Sequence, residues 1–540
     1  MLMLQRHAES RSCAANYSFT NQRSRTFLAR LIPAGMAALI VGLVCGTARA
    51  NTITVYSLID PGTAGTCSLR DAITAANTKK AVHACAKGNG TDTIVFNAGL
   101  SGTIALGSTL PPIVNTLTIS GTQVSPPAII ISGQNQYEIL VVNSGATLNL
   151  NYLTLTEGSA VDGGGIFNAG TLDVANSTIS DNSSTDNTNG GGGIFSQGTL
   201  NVANCTFSSN SGFNDAGGIM NFSGTATVIN STFYGNTAND GGGGILNFLG
   251  GMTVVNSTFA DNVAGFSGGG AIFNDNSLDL EGTIVASSTA GNCAGFAIND
   301  EGYNLSDDGT CGFTAIGSKN NVANLDLGGL QFNGGPTETI SIDSGSAAYD
   351  LIPVADCTYQ NINPCTNPPA ASASGPLVCD QRGVIRPRTT NCDAGAFELQ
   401  ETSDFADFGT GLIVFPKQFA AGGSFNLPGD ADFGAINPTN QPVTITIFSA
   451  GSLTVLPFGP LGVTIPPGSF TLVGGQYKYS GTIGGVKYGV TIGVPNSSGV
   501  YQFTAAVFGV DVAGLSNPVS VTLQIGPYIG TDDDVAAAIL

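Results

Sequence analysis

The sequence predicts an all-β chain. Its centre is a right-handed parallel β-helix with three strands and about 26 residues per coil, preceded by a short N-terminal helical cap and followed by a C-terminal β-sandwich. Three observations carry this. A phrase recurs: Asp162-Gly163-Gly164-Gly165-Ile166-Phe167-Asn168 returns as Gly191-Gly192-Gly193-Ile194-Phe195-Ser196, then as Ala216-Gly217-Gly218-Ile219-Met220-Asn221, Gly242-Gly243-Gly244-Ile245-Leu246-Asn247 and Gly269-Gly270-Ala271-Ile272-Phe273-Asn274. A second phrase is interleaved with it, Asn176-Ser177-Thr178-Ile179, then Asn204-Cys205-Thr206-Phe207, Asn230-Ser231-Thr232-Phe233 and Asn256-Ser257-Thr258-Phe259. Its opening Asn residues are 28, 26 and 26 positions apart. Within a repeat, apolar residues alternate in short runs such as Thr199-Leu200-Asn201-Val202, which is the period of a strand and not of a helix.

A single repeat of this size cannot bury its own apolar face, so the copies must stack. Strands of ~5 residues joined by short turns use roughly 26 residues per coil. Parallel strands then lie ~4.8 Å apart, and the crossover rule favours right-handed winding.

The chain in order begins with residues 1–50, which read as a secretory signal. Arg23, Arg25 and Arg30 are basic, Leu31–Val44 is apolar, and Ala48-Arg49-Ala50 is an Ala-x-Ala cleavage site. The expected mature chain therefore has no transmembrane segment. Residues 51–90 form the N-terminal cap. Thr52–Val55 is a short strand, and Ser68 with Asp71 forms a capping box opening a helix that gathers Leu69, Ala72, Ile73 and Ala76 on one face. Such a plug covers the open edges of a coil stack. The solenoid is assigned to 91–352. Its early strand runs are Thr93–Phe96, Leu117–Ile119, Ala128–Ile131 and Thr147–Leu150. Residues 353–400 form a disulfide-containing C-terminal cap. Residues 401–540 carry strands near Val443–Ile447, Phe470–Val473, Tyr488–Ile492, Tyr501–Thr504 and Val519–Leu523, an immunoglobulin-like sandwich in a broad sense.

Inside the repeats, the glycines mark a turn that needs either φ > 0 or neighbouring backbones too close for a Cβ. Asn182, Asn210, Asn236 and Asn262 read as an internal ladder whose amides satisfy the next coil. The Asn-x-Ser/Thr triplets at Asn176, Asn204, Asn230 and Asn256 look like glycosylation sequons but fall within the repeat, so the reading is structural.

Nine cysteines follow residue 50. Pairing by proximity gives Cys67–Cys85, Cys293–Cys311, Cys357–Cys365 and Cys379–Cys392, with Cys205 left as a buried thiol in a Ser position of the repeat. Bridges in the irregular ends fit an exported protein.

Two sets of phrases resemble known families. Gly-Gly-x-Ile with Phe-x-x-Asn (Phe207–Asn210, Phe233–Asn236, Phe259–Asn262, with Ile179–Asn182 as the variant) resembles the repeats of the polymorphic outer membrane protein family. Cys67-Ser68-Leu69-Arg70-Asp71-Ala72 resembles the Cys-Ser-Leu-Arg-Glu-Ala (CSLREA) segment of secreted bacterial β-helix proteins, with Asp71 in place of the Glu. The later phrases Asn333-Gly334-Gly335-Pro336, Asp380-Gln381-Arg382-Gly383 and Cys392-Asp393-Ala394-Gly395-Ala396-Phe397-Glu398 resemble the end region of the choice-of-anchor Q class. These likenesses imply a secreted or surface-displayed bacterial β-helix, extracellular or outer-membrane associated, with adhesin-like roles.

The chemistry of the chain points the same way. The chain has a net charge of −20. Without the six Arg and one Glu of the first fifty residues it has 11 basic and 36 acidic groups, net −25, a surface that repels nucleic acid and anionic lipid. No Lys or Arg lies between Lys87 and Lys319, so a β-helix lyase would lack its base over most of the solenoid. A glycoside hydrolase needs a supported carboxylate pair. The mature chain has one His, His83, and no Trp. Arg70-Asp71 reads as a cap and surface pair. Asp300, Glu301, Asp307 and Asp308 read as solvated or weakly cation-binding. Calcium is a candidate at Asp162, Asp215, Asp240 and Asp261, although the repeat-in-toxin order Gly-Gly-x-Gly-x-Asp is absent. No catalytic, cofactor or metal residues are assigned. The expected function is adhesive, structural or ligand-binding, toward a host or cell-surface protein or polysaccharide. The rival is a polysaccharide lyase or glycoside hydrolase of the same architecture.

Overall fold

The computed structural model describes residues 51–123, 126–185, 190–366, 369–387 and 390–399. Beyond these it describes 403–404, 406–415, 418–426, 436, 438, 443–449, 461–465, 469–483, 486–496, 500–508, 519–525, 528–535 and 538–539. The proposed signal segment lies outside the described residues.

The solenoid is parallel throughout, with seven turns of about 26 residues. The coil from Ile166 shows how the repeat becomes structure. Ile166–Asn168 and Thr171–Ala175 are two legs of one wide sheet, bent between them at Ala169-Gly170. In the later coils the two legs fuse into single strands, Ile245–Val255 and Ile272–Glu281. Thr178–Ser180 enters a second sheet and Ser183–Ser184 a short third one. Corners are made by one left-handed residue. Asn176, Asn204, Asn230 and Asn256 have φ of 48°, 56°, 47° and 43°, a conformation Asn tolerates better than most residues. The interleaved Asn-x-Ser/Thr phrase is thus the corner before the second sheet. Those Asn side chains are buried, which is incompatible with glycans there.

Identical residues stack on identical residues. Inside the wide sheet, Ile166, Ile194, Ile219, Ile245 and Ile272 are in register and fully buried. Inside the second sheet, Phe207, Phe233 and Phe259 stack with ring centroids 4.8 and 4.5 Å apart. The Asn ladder is equally regular. Asn182 Nδ2 donates to Asn210 Oδ1 (3.0 Å), Asn210 to Asn236 (2.9 Å) and Asn236 to Asn262 (2.9 Å). Each of these Oδ1 atoms also accepts the backbone amide of the preceding coil's Asn.

The glycine runs owe their composition to close stacking. At Gly192 a Cβ would sit 2.5 Å from Ser211 O and 2.7 Å from Gly217 O, and at Gly217 it would sit 2.4 Å from Gly243 O. Of the two explanations offered by the sequence, backbone crowding applies there, and φ > 0 applies only to members such as Gly242 and Gly269.

The cap helix runs Leu69–Thr78. Its capping box is formed by Ser68 and Asp71, and Leu69, Ala72, Ile73 and Ala76 are buried. Disulfides join Cys67–Cys85 and Cys293–Cys311. The other two differ from nearest-neighbour pairing: the bonds are Cys357–Cys392 and Cys365–Cys379. The reason is topological. Ile352-Pro353 pairs antiparallel with Asn391-Cys392, and Thr358–Asn363 pairs with Ala370–Pro376, which brings together residues distant in sequence. Cys205 is the free thiol among the described residues. It is fully buried, burial pushes its pKa up to about 12, and its Sγ lies 3.2 Å from Ala203 O.

Residues 330–399 do not simply continue the stack. They run back along its flank as a strap, over the corner that holds Asn204 and Thr206. Asn204 Nδ2 donates to Pro364 O (2.8 Å) and Asn230 Nδ2 to Cys379 O (2.9 Å). Gln381 reads the outward threonines of the second sheet: its Nε2 donates to Thr206 Oγ1 (2.9 Å), and its Oε1 accepts from Thr232 Oγ1 (2.7 Å). The amide of Ala396 donates to Thr258 Oγ1 (3.0 Å). Behind this row, Arg386 and Glu398 form a buried ion pair at 3.2 Å, and Arg382 pairs with Asp380 at 2.6 Å and lies over the Phe397 ring. Arg386 also donates to the Asp393 and Gly395 carbonyls, both at 2.6 Å, which offsets part of the cost of burying its charge, while its Nε has no hydrogen-bond partner among the described residues. Leu377, Phe397, Ile352 and Ile362 pack beside Ile229, Val255 and Ile284 of the solenoid.

The C-terminal region is sandwich-like and mainly antiparallel, with parallel pairing only of Ser403-Asp404 with Tyr528-Ile529 and of Ile413-Val414 with Ala538-Ile539 among the described residues. One sheet includes the meander Gln476–Ile483, Val486–Gly493, Val500–Phe508, and the other pairs Val443–Ser449 with Leu461–Ile465 and Val519–Ile525. Phe425, Ile445, Ile492, Phe503 and Leu523 are among its buried residues.

Candidate binding face

The outside of the wide sheet repeats as faithfully as the inside. In a strand, alternate residues share a face, so positions i and i+2 point outward together. Opening the second leg of each coil, Thr116, Thr147, Thr171, Thr199 and Thr225 fall in register, continued by Gly251 and Ser277. Two residues on, the outward row is Thr93, Thr118, Asn149, Asp173, Asn201, Thr227, Thr253, Asp279 and Asn299. Thr199, Thr225 and Ser277 are exposed, and Thr116, Thr147, Thr171 and Asn201 are half-buried.

This second row is held together laterally. Asn149 Nδ2 donates to Thr118 Oγ1 (3.2 Å), Asn201 Nδ2 to Asp173 Oδ1 (2.7 Å) and Asn299 Nδ2 to Asp279 Oδ1 (3.1 Å). Burial pushes the Asp173 carboxyl up, partly offset by the Asn201 hydrogen bond. Side chains fixed to one another lose less entropy when a ligand arrives.

A third row flanks these on the first leg. Phe167, Phe195, Phe222 and Phe248 stack outside the sheet, with successive centroids 5.6, 5.7 and 5.4 Å apart. Phe167, Phe195, Met220, Leu246 and Phe273 are in register, with Phe222 and Phe248 beside them; Phe195, Met220 and Leu246 are buried in this cluster, whereas Phe167, Phe222, Phe248 and Phe273 keep part of their surface open. Leu249, inside the strand Ile245–Val255, is exposed, as are Phe213, Phe266 and Phe296 outside the strands. The strap bounds the face on the other side, where Asn361 Nδ2 meets Thr227 Oγ1 at 3.3 Å.

Carboxylates gather at the last coils. Burial pushes Glu281 up to about 7. A hydrogen bond from Gln360 opposes the rise, and the charges of Glu301 and Asp356 add to it. Tyr303 donates to Asp356 at 2.6 Å. An open groove of about 770 Å³ lies along the strap hairpin, lined by Val354, Cys357, Thr358, Gln360, Ser374 and Pro376 among others.

The residues singled out in the sequence are distributed as follows. Arg70 pairs with Asp60 at 2.7 Å, not with Asp71, which belongs to the capping box and faces His83 at 3.1 Å. Asp162, Asp215 and Asp240 precede the glycine runs of three coils, the first two separated by a further coil, and Asp261 occupies a different corner, after Thr258–Ala260. The terminal acids are hydrogen-bonded to their neighbours, while Glu301 and Asp307 stay exposed and Asp300 and Asp308 half-buried. Burial pushes Asp300 up, but the amides of Ala315 and Thr314, the Ser318 hydroxyl and the Asn304 amide outweigh it and hold its pKa low. Asp308 is likewise held low by Thr310, the Asn292 amide and Ser306 against the effect of burial. Asp307 accepts from Asn292 Nδ2 (2.6 Å) and the Ser287 amide (2.8 Å). These carboxylates staple the end of the stack.

The outward threonine and phenylalanine rows were missed in reading the sequence. Their signal was present: Gly-Thr recurs at 170–171, 198–199 and 224–225, and Phe167 and Phe195 follow the inward Ile of their repeats. Nothing in the sequence marks Gln381 as the partner of Thr206 and Thr232 on the second sheet. Compared with known protein families, curated proteins and solved structures, the chain matches none of them.

Proposed function

We propose that this chain is a secreted or cell-surface bacterial β-helix protein that binds its partner through the outer face of the wide sheet, in an adhesive or ligand-holding role without turnover. The observation that carries the reading is the register of that face: aromatic, threonine and amide rows repeated coil after coil with no cation between Lys87 and Lys319. Four disulfides favour an oxidising compartment. The basic, apolar and Ala-x-Ala pattern of residues 1–50 supports export, and the resemblance to CSLREA, choice-of-anchor Q and polymorphic outer membrane proteins supports display. No helix among the described residues is long and apolar enough to cross a membrane.

One observation favours the rival, a glycoside hydrolase: Glu281, with its raised pKa, stands near Glu301, Asp356 and the strap groove. The two readings separate experimentally. Producing cells are fractionated and intact cells are shaved with protease. Purified protein is then tested for retention on host cells, on producer envelopes and on immobilised polysaccharides, while reducing ends and unsaturated uronates are measured. Surface location, retention that Thr171→Lys with Thr199→Lys abolishes, and no released sugar are expected. Sugar release lost in Glu281→Gln would replace this reading with the hydrolase.

A further inference from the structure

Resting on the binding reading above, the geometry points to the class of ligand: an uncharged polysaccharide chain lying along the stack axis, across the strands, on the rows that begin at Thr116, Thr118 and Phe167.

Repetition sets the shape of the ligand. From Thr116 to Thr225 each coil offers one Thr, one amide, hydroxyl or carboxylate, and over much of this stretch one aromatic or Met side chain, and the next coil offers a like set ~4.8 Å further on. The five threonines from Thr116 to Thr225 span about 19 Å at that spacing. A small molecule covers one or two rungs and gains nothing from the rest. A polymer running along the axis meets every rung in turn.

The side chains set its chemistry. A sugar ring has an apolar C–H face and a rim of hydroxyls. The open parts of Phe167, Phe222 and Phe248 match the first. Threonine hydroxyls and the Asn149 and Asn201 amides, which donate and accept, match the second. The lateral bonds Asn201–Asp173 and Asn149–Thr118 hold these groups in place before the ligand arrives.

Charge excludes the alternatives. Asp173 and Asp279 lie in the polar row, and no Lys or Arg occurs from residue 88 to 318, so uronates, sulfated polymers and nucleic acids are repelled. The strap crosses the polar row at Thr227, through Asn361, so the longest open stretch of that row runs from there toward the capped N-terminal end of the stack.

The test uses the full exported protein. Co-sedimentation with cellulose and affinity electrophoresis in a soluble neutral β-glucan and a mannan are compared with polygalacturonate. The inference expects binding to at least one neutral polymer, no retardation by polygalacturonate, and affinity for its oligosaccharides that rises with length over the first several units. T171A/T199A, altered only on the surface, should weaken binding roughly tenfold at unchanged melting temperature. Phe222→Ser should weaken it as well, with N201D kept as a second surface variant should F222S not fold. Retention on cells or proteins that T171K/T199K abolishes, with no neutral polymer bound, would overturn this inference and leave the binding face standing. Polysaccharide binding indifferent to every face variant would overturn both. Equal binding to polygalacturonate would overturn the charge argument and the inference with it.

Discussion

Truncating one member of the Asn ladder tests whether hydrogen bonds, and not apolar burial alone, hold the coils in register. Asn236 is the member to change, because it is fully buried and bonded on both sides. Its Nδ2 donates to Phe207 O and Asn262 Oδ1, both at 2.9 Å, and its Oδ1 accepts from Asn210 N (3.1 Å) and Asn210 Nδ2 (2.9 Å). In Asn236→Ala, Asn210 Nδ2 keeps Ile179 O at 2.8 Å, and Asn262 Oδ1 keeps the Asn236 amide at 3.0 Å. The Asn210 amide and the Phe207 carbonyl lose the partner this side chain supplied. The Phe207 carbonyl still stands in the parallel ladder opposite Phe233 and Tyr234, so the orphan is the Asn210 amide, and an orphaned buried polar group costs about 1–3 kcal/mol. The assay is urea unfolding followed by far-UV circular dichroism, read as a shift in midpoint at unchanged slope. Asn236→Leu, similar in size and apolar, leaves the same amide orphaned and should be no better. Asn236→Asp keeps the acceptor but loses the amide donor, so it should be more stable near pH 4, where the buried carboxyl holds its proton, than near pH 7. Alanine and leucine variants both within about 0.5 kcal/mol of wild type would refute the reasoning, since apolar stacking would then suffice.

Other predictions follow from single contacts. Cys205→Ser should change stability by less than about 1 kcal/mol, because Ser231 already fills the equivalent place with its hydroxyl 2.9 Å from Ile229 O, and the wild-type thiol should resist thiol reagents until denatured. Peptide mapping should recover Cys357–Cys392 and Cys365–Cys379, and removing the former, which closes 35 residues, should cost about 4 kcal/mol on loop entropy and loosen the strap. Glu281 binds its proton more tightly folded than unfolded, so its contribution falls as pH rises from the ordinary glutamate range to about 7 and is constant above. Glu281→Gln should therefore melt higher than wild type at pH 8 and close to it at pH 5, and the opposite order would show that Glu281 is ionised and paired.

Much of the solenoid was legible because its coils are near copies. A residue that repeats every 26 positions meets itself in the next coil, so Ile166 on Ile194 and Asn210 on Asn236 follow from the period once the strands are parallel. The capping box at Ser68 and Asp71 was legible for another reason: its partners are three residues apart. The pairing of Cys357 was not legible, because it depends on which strands of the strap lie side by side. The binding face was half legible. Thr199 stands in a recognisable strand run, but which face of that strand stays open depends on where the strap lies, and no local pattern gives that.

By itself, then, the sequence determined the coil, its period, its inward ladders and the helix at its head, since these rest on contacts local in the chain or repeated at one fixed interval. Only the tertiary structure decided where residues 330–399 lie, that Gln381 grips Thr206 and Thr232, which donors Asp300 and Asp308 accept from, and how much of the threonine row stays open. Those contacts join residues 132 to 175 positions apart in the case of the strap on Thr206. No period links such positions, and only the closing of the chain on itself brings them together.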